Sequence, residues 1–525
     1  MRAFNPVDRS LAMGSSGMAA TSHPLATLTA IETLKAGGNA MDAAIAAVAV
    51  QCVVEPAMTG LGGDCFALYA PQGGTPVALN GSGRAPAAAT ADWFAERDLT
   101  APAPTSPHAV TVPGCVDAWC RLNAGHGRKP LAELLQPAIR MAEEGFRVTP
   151  RVAYDWATFR DRLEPDPDAR AAFLPGGSPP REGDLFRLPA LAATLRRVAA
   201  EGRKGFYDGA VADGIVAKLR GLGGLHTAED FDAQRAEVVE PIATRFRGHD
   251  VYECPPNGQG LIALMMLRLA ERLDLSGAPE AERIHLLAEI TKAAYLARDT
   301  YLADPRQVAV PVAELLSDAW VEAILPRIDR ERAGPPVFSD EVPHRDTVCL
   351  SVVDRDRNCV SFINSIFNSF GSGLYVPDSG VLLHNRGLSF RFAPGHANSI
   401  APGKRPMHTI IPGMVCRDGR ALMPFGVMGG HYQATGHVDF LSNVLGRGLD
   451  PQDASDTPRT FAFGGALQVE TTVKPALLDD LRRRGHVIEP QTTPIGGCQS
   501  VLIDWERGAL FGGSDHRKDG IALGY

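Results

Sequence analysis

The chain has 525 residues, is 45% hydrophobic and 21% charged, and carries a formal net charge of -8, the profile of a folded globular protein rather than a disordered or fibrous one. An acidic chain of this kind offers no basic face for a phosphate backbone, which argues against nucleic acid as a partner. The most apolar run, "AMDAAIAAVAVQCVV", carries Asp42 and is too short to span a bilayer, and the opening residues lack the apolar core of a signal peptide, so no membrane partner and a cytoplasmic location are expected.

In chain order, "PLATLTAIETLKA" has helical spacing and stops at Gly37-Gly38; a second helix follows Asn39 and ends at Pro56, apolar on most faces. "CFALYAP" and "PVALN" read as strands. From 128 to 330 the pattern is mostly helical, including "LAELLQPAIRMAEEG", "LPALAATLRRVAAEG", "GLIALMMLRLAERLD" and "AERIHLLAEITKAAYLARDTYL". Residues 331–346 carry three prolines and many charges and read as an exposed linker. Beyond it the period becomes that of strands: "TVCLSVVD" and "NCVSFIN" flank "RDR" as a hairpin. Further strands are expected at "GVLLHN", "HTIIPGMVC" and "ALMPFGVM", helices in "HYQATGHVDFLSNVLG" and "TTVKPALLDDLRRRG", and closing strands near "CQSVLIDW" and "GALFGG". Helices first and strands afterwards imply helical layers packed on sheets.

The Gly-rich stretches 58–64 and 80–86 lack the strand-to-helix setting of a dinucleotide fingerprint. Gly429-Gly430 sits between an expected strand and an expected helix, where bare backbone N–H groups suit an oxyanion, although taken alone a tight strand-to-helix turn is the plainer explanation of the pair. His431 and His437 are six apart with no acidic partner between them, which is not the spacing of paired zinc ligands. Nine cysteines without CxxC spacing argue for reduced thiols, and neither metal nor organic cofactor is called for. Thr347 stands where the charged linker turns into an apolar strand. A threonine hydroxyl becomes a competent nucleophile when Thr begins a chain and its own α-amino group takes the proton. An internal Thr reaches that state if the bond from Asp346 to Thr347 is cut; otherwise it is an edge residue of a strand.

Taken together, "SHPLAT…LKAGGNAMDAAIAA" (22–47), "EPAMTGLGGD" (55–64), "TVPGCVDAW" (111–119), "YECPPNGQG" (252–260), "TVCLSVVDRDRNCVSF" (347–362), "FGSGLYVPDSGVLLHNR" (370–386), "APGKRP" (401–406), "MGG" (428–430) and the tail "GGSDHRKDGIALGY" resemble the γ-glutamyltransferase family of N-terminal nucleophile hydrolases. The resemblance implies an α+β fold, a four-layer αββα sandwich. It implies cleavage between Asp346 and Thr347, giving a large, mostly helical subunit 1–346 and a small catalytic subunit 347–525 that share one intertwined domain. Thr347 matches the nucleophile, Ser365 the hydroxyl that supports its amino group, and Gly429 and Gly430 the oxyanion glycines.

The glutamyl-gripping pattern departs from the family's. Arg84 lies in a shifted register, Phe367 replaces an Asn, Ser389 an Asp, and His408-Thr409 a Ser pair. Loss of the Asp that would hold an α-ammonium points away from γ-glutamyl substrates. Arg84, Asn385, Arg386, His408 and Thr409 are the candidate substrate-binding residues, and Arg84, Arg386 and His408 could meet an anionic acyl group. The expected activity is hydrolysis of a small amide through a threonyl acyl-enzyme, on an oxamate-like or acylase-type substrate. The alternatives are a γ-glutamyltransferase or glutathione hydrolase, and an unprocessed binding protein. The expected partners are the small amide and the two cleavage products as a heterodimer, with a further dimer of these left open.

Overall fold

The computed structural model describes residues 9–339 and 347–525. The expected linker ends in Asp346, which lies outside the described residues. Among the described residues no helix is long and apolar enough to cross a membrane.

Two seven-stranded antiparallel sheets face each other. The first runs, edge to edge, Ile521–Gly524, Met18–Thr21, Val348–Val353, Cys359–Ser365, Asp64–Ala70, Val77–Gly81 and Glu237–Val239. The second runs Ala12–Gly14, Ala509–Ser514, Gly497–Asp504, Arg420–Met428, Gly413–Arg417, His249–Glu253 and Ile242–Phe246. Both of these sheets draw strands from either side of residue 347, so the two parts of the chain share the sheet core.

Helices cover the outer faces, completing four layers. Pro24–Lys35 begins with its proline in the first turn and His23 Nδ1 accepting from the Leu25 N–H. Ala40–Val54 starts in a capping box between Asn39 and Asp42, and all of its residues are buried, as its apolar circumference predicts. Val348, Leu350 and Val352 pack with this helix layer, while Cys349 and Val353 point to the other sheet with Phe66, Ile363, Met414, Met428 and Val501. The alternation is the period of a strand buried on both faces. Behind the second sheet, Gly260–Arg272, Glu280–Tyr301 and Gln433–Leu441 close the last core with Val415, Met423, Phe425 and Val427.

Of three departures from the expected elements, two have local reasons. Residues 237–253, within the stretch read as helical, form three short strands broken by Pro241 and by a turn at Arg247 and Gly248, both with positive φ. "GVLLHN" and "HTIIPGMVC" shorten to Val381–Leu382 and Gly413–Arg417, because their flanks leave the sheets to become loops at the site. A small sheet, Thr460–Phe463, Ala466–Glu470 and Ile488–Gln491, was not foreseen.

Candidate active site

The hairpin register places the nucleophile candidate. Ser351 opposes Ser361 and Val348 opposes Asn364, so the next step sets Thr347 beside Ser365. Opposed residues in an antiparallel pair point to the same face, and the Thr347 and Ser365 hydroxyls are 3.1 Å apart. The row continues, since Ser365 opposes Asp64 on the next strand. Thr347, Ser365 and Asp64 therefore line one end of the first sheet, all of them buried. Cys349, two residues along, donates to the Gly426 carbonyl at 3.3 Å, so this face of the strand looks at the second sheet where Arg420–Met428 leads into Gly429-Gly430.

Those glycines are required by the backbone. Gly429 has φ 130° and Gly430 φ 60°, and a Cβ on Gly429 would stand 2.8 Å from the Gly496 Cα. Among the described residues no hydrogen bond uses either N–H. The turn is gripped from behind. Gln259 Nε2 donates to the Thr409 carbonyl at 2.9 Å and to the Gly430 carbonyl at 3.1 Å, the Tyr295 hydroxyl to the His431 carbonyl, and Arg298 Nη1 to His431 Nδ1 at 3.0 Å. The arrangement brings a candidate hydroxyl nucleophile near candidate backbone donors, a combination suited to acyl transfer.

Asp64 draws the loops of the site together. Its Oδ1 accepts from the Gly83 N–H at 2.9 Å, and its Oδ2 from His408 Nε2 at 3.1 Å, with His384 Nδ1 3.5 Å away. Burial alone would push the Asp64 carboxyl up, but the His384 and His408 imidazoles outweigh it and hold the group well below the usual carboxylate range. Burial, and then the Arg386 charge, push His408 down to about 3, so it serves as a neutral donor. Its Nδ1 accepts from the Ile410 N–H at 3.3 Å.

The candidate substrate-binding residues separate into two groups. Arg386, 1% exposed, lies over the Phe367 ring at 4.1 Å and donates to Thr409 Oγ1 at 3.1 Å. Phe367 holds φ 75°, with its N–H on Ser365 Oγ at 3.0 Å, so Arg386, Thr409 and Phe367 close on the row of Thr347, Ser365 and Asp64. Arg84 is engaged elsewhere, with Glu237 at 2.9 Å, Asp304 at 3.4 Å and the Gly403 carbonyl at 3.0 Å. The Asn385 amide supports the loop: Nδ2 donates to Asn368 Oδ1 at 2.9 Å and to the Pro104 carbonyl at 3.1 Å, while Oδ1 accepts from the Asn368 N–H at 3.1 Å. Both His408 nitrogens are also in use. Asp64, His384, Gln259 and Arg298 were not singled out by sequence; Asp64 ends the "GLGGD" string, and only its register with Ser365 reveals its place.

The two histidines weighed as metal ligands are core groups. His437 Nδ1 meets Glu253 Oε1 at 2.6 Å, and burial favours the neutral form of both, raising the glutamic acid and lowering the imidazole to about 3. Elsewhere His285, Glu289 and His486 bring donor atoms within 4.8 Å of one another. There Lys292 is 2.7 Å from Glu289, His285 Nδ1 and His486 Nε2 bond each other at 2.8 Å, and His285 Nε2 takes the Asp329 carbonyl at 2.8 Å. These bonds make the cluster a clamp on residues 329–334.

Comparison with known proteins agrees with this geometry. The family model described as gamma-glutamyltranspeptidase matches residues 26–525. An oxamate amidohydrolase proenzyme of Klebsiella pneumoniae is 35% identical over 524 residues, covering 97% of this chain and 98% of its own. A glutathione hydrolase-like proenzyme of Bacillus subtilis is 34% identical, covering 98% and 99%. The crystal structure of cephalosporin acylase from Bacillus halodurans superposes with a TM-score of 0.93 at 38% identity, covering 100% of this chain and 98% of that one. The chain belongs to the gamma-glutamyltranspeptidase family and is an N-terminal nucleophile enzyme of its amidohydrolase and transferase chemistry.

Proposed function

We propose that the chain matures by cutting itself before Thr347 and then hydrolyses a small amide whose acyl group carries a carboxylate. In the first reaction the Thr347 hydroxyl attacks the Asp346 carbonyl, its proton passes to the departing α-amino group, and the resulting ester is opened by water. The products are 1–346 and 347–525, interleaved through both sheets. In turnover the freed α-amino group takes the hydroxyl proton, Oγ1 acylates with loss of the amine, and water restores the threonine. Ser365 orients the nucleophile, and the Gly429 and Gly430 N–H groups receive the oxyanion.

The observation that carries this reading is the Thr347–Ser365 hydroxyl pair at 3.1 Å, built by the hairpin register. Arg386, buried beside Thr409 and Phe367, supplies the charge for the acyl carboxylate. The oxamate amidohydrolase name of one relative fits that class, since oxamate carries a carboxylate, and the acylase name of another fits amide hydrolysis. A γ-glutamyl group fits less well: position 389 offers a serine, and the Asp64 carboxylate is already held by Gly83 and His408. Intact-mass analysis tests maturation, with 1–346 and 347–525 expected from the wild type and one uncut chain from Thr347→Ala. Amine or ammonia release from a panel of carboxylate-bearing amides, neutral amides and glutathione tests the substrate class. A mature enzyme that prefers glutathione would overturn it.

A further inference from the structure

The contacts around Asp64 form a closed circuit. Asp64 opposes Ser365; its Oδ2 holds His408; the next residue, Thr409, accepts from Arg386; Arg386 covers Phe367; and the Phe367 N–H returns to Ser365 Oγ. The same carboxylate faces His384, the residue two before Arg386, and its other oxygen holds Gly83. Each imidazole is fixed at its far nitrogen too: His384 Nε2 donates to the Thr111 carbonyl at 2.8 Å, and His408 Nδ1 accepts from Ile410. Three loops that differ widely in sequence position thus take their place from one carboxylate, which sits in the same row as the nucleophile.

We infer that Asp64 is a positioning residue that fixes the distance between Thr347 and Arg386, and so selects substrates by the spacing between the reacting carbonyl and the acyl carboxylate. The inference rests on the proposed function and adds a ruler to it. The geometry makes Asp64 specific in kind. An Asn in its place would turn an N–H toward His408 Nε2 or toward the Gly83 N–H, two donors facing each other. His408, rotated to relieve that clash, would carry Thr409 with it, and Arg386 would lose its bond to Thr409 Oγ1. The nucleophile pair itself, one strand away, keeps its own register.

The test is a length series: monoamides of dicarboxylic acids with zero, one, two and three methylenes, beside a neutral amide. kcat and KM are measured per titrated active site for wild type, Asp64→Asn, His408→Gln and the double variant. The wild type is expected to favour one length sharply. Each single variant is expected to lose about ten-fold or more in kcat/KM at that length, mainly through KM, with the neutral amide changed by less than about three-fold. The double variant is expected to be no worse than the poorer single, because both act through one contact. Equal losses on every amide, or an unchanged length profile, would overturn the ruler. If Asp64→Asn fails to fold, His408→Gln carries the same comparison. A wild type that cleaves no amide would instead defeat the proposed function and the ruler with it, so the two failures are told apart by the wild-type assay.

Discussion

Replacing Ser365 by Ala perturbs two bonds at once, and the structure separates their effects. The lost hydroxyl is 3.1 Å from Thr347 Oγ1 and also accepts the Phe367 N–H at 3.0 Å. As Thr347 gives up its proton, the hydroxyl contact becomes charge-assisted, worth about 1.5–3 kcal/mol. At about 1.36 kcal/mol per decade, kcat should fall roughly ten- to 150-fold. KM should hold, because Ser365 touches the nucleophile and not the acyl group. The Phe367 N–H, left buried without its acceptor, should lower unfolding stability by about 1–3 kcal/mol in urea titrations. Ser365→Thr keeps the hydroxyl and should restore most of the rate. Turnover by Ser365→Ala within about two-fold of wild type, measured per titrated site, would refute the role given to the hydroxyl pair.

Gly429→Ala should break the turn proposed to receive the oxyanion, since φ 130° and the 2.8 Å approach to the Gly496 Cα leave no room for a methyl. An activity loss of about 10²–10³-fold in kcat, with the fold retained by circular dichroism, is expected. Arg386→Gln should raise KM for carboxylate-bearing amides by about ten- to 100-fold and leave neutral amides nearly unchanged, read from steady-state kinetics on both. Acid should destabilise the fold through His408: the unfolded imidazole takes a proton below its ordinary value near 6.5, whereas the folded one resists to about 3. Stability is therefore full above pH 6.5 and declines as pH falls toward 3, by up to about 1.4 kcal/mol per pH unit from this group, and urea midpoints at pH 7.5 and 5 should show a shallower decline in His408→Gln.

What could be read from sequence was whatever the chain encodes locally. The alternation in "TVCLSVVD" and "NCVSFIN" around a short turn is enough to read a hairpin; its register, which brings Thr347 beside Ser365, is seen in the structure, and Ser365 was reached from sequence only through the family resemblance. The helical layer, the hairpin and the strand-to-helix turn at Gly429-Gly430 were legible for the same reason. The short strands of 237–253 were not, because Pro241 and the turn at 247–248 break their period before it can register. The destinations of charged side chains were least legible. Arg84, Arg386 and His408 read alike as cations able to meet an anion, yet Arg84 pairs with a glutamate 153 positions away and His408 with an aspartate 344 positions away. Such pairings depend on how strands interleave, which no local pattern records. Once the sheets are assembled the three are no longer equivalent. Arg84 anchors a loop, His408 is a neutral link in the Asp64 circuit, and Arg386 is the cation that circuit holds beside the nucleophile row. The charge proposed to define the substrate class is thus set by tertiary contacts, while the proposed nucleophile stands on a hairpin whose two strands are legible locally.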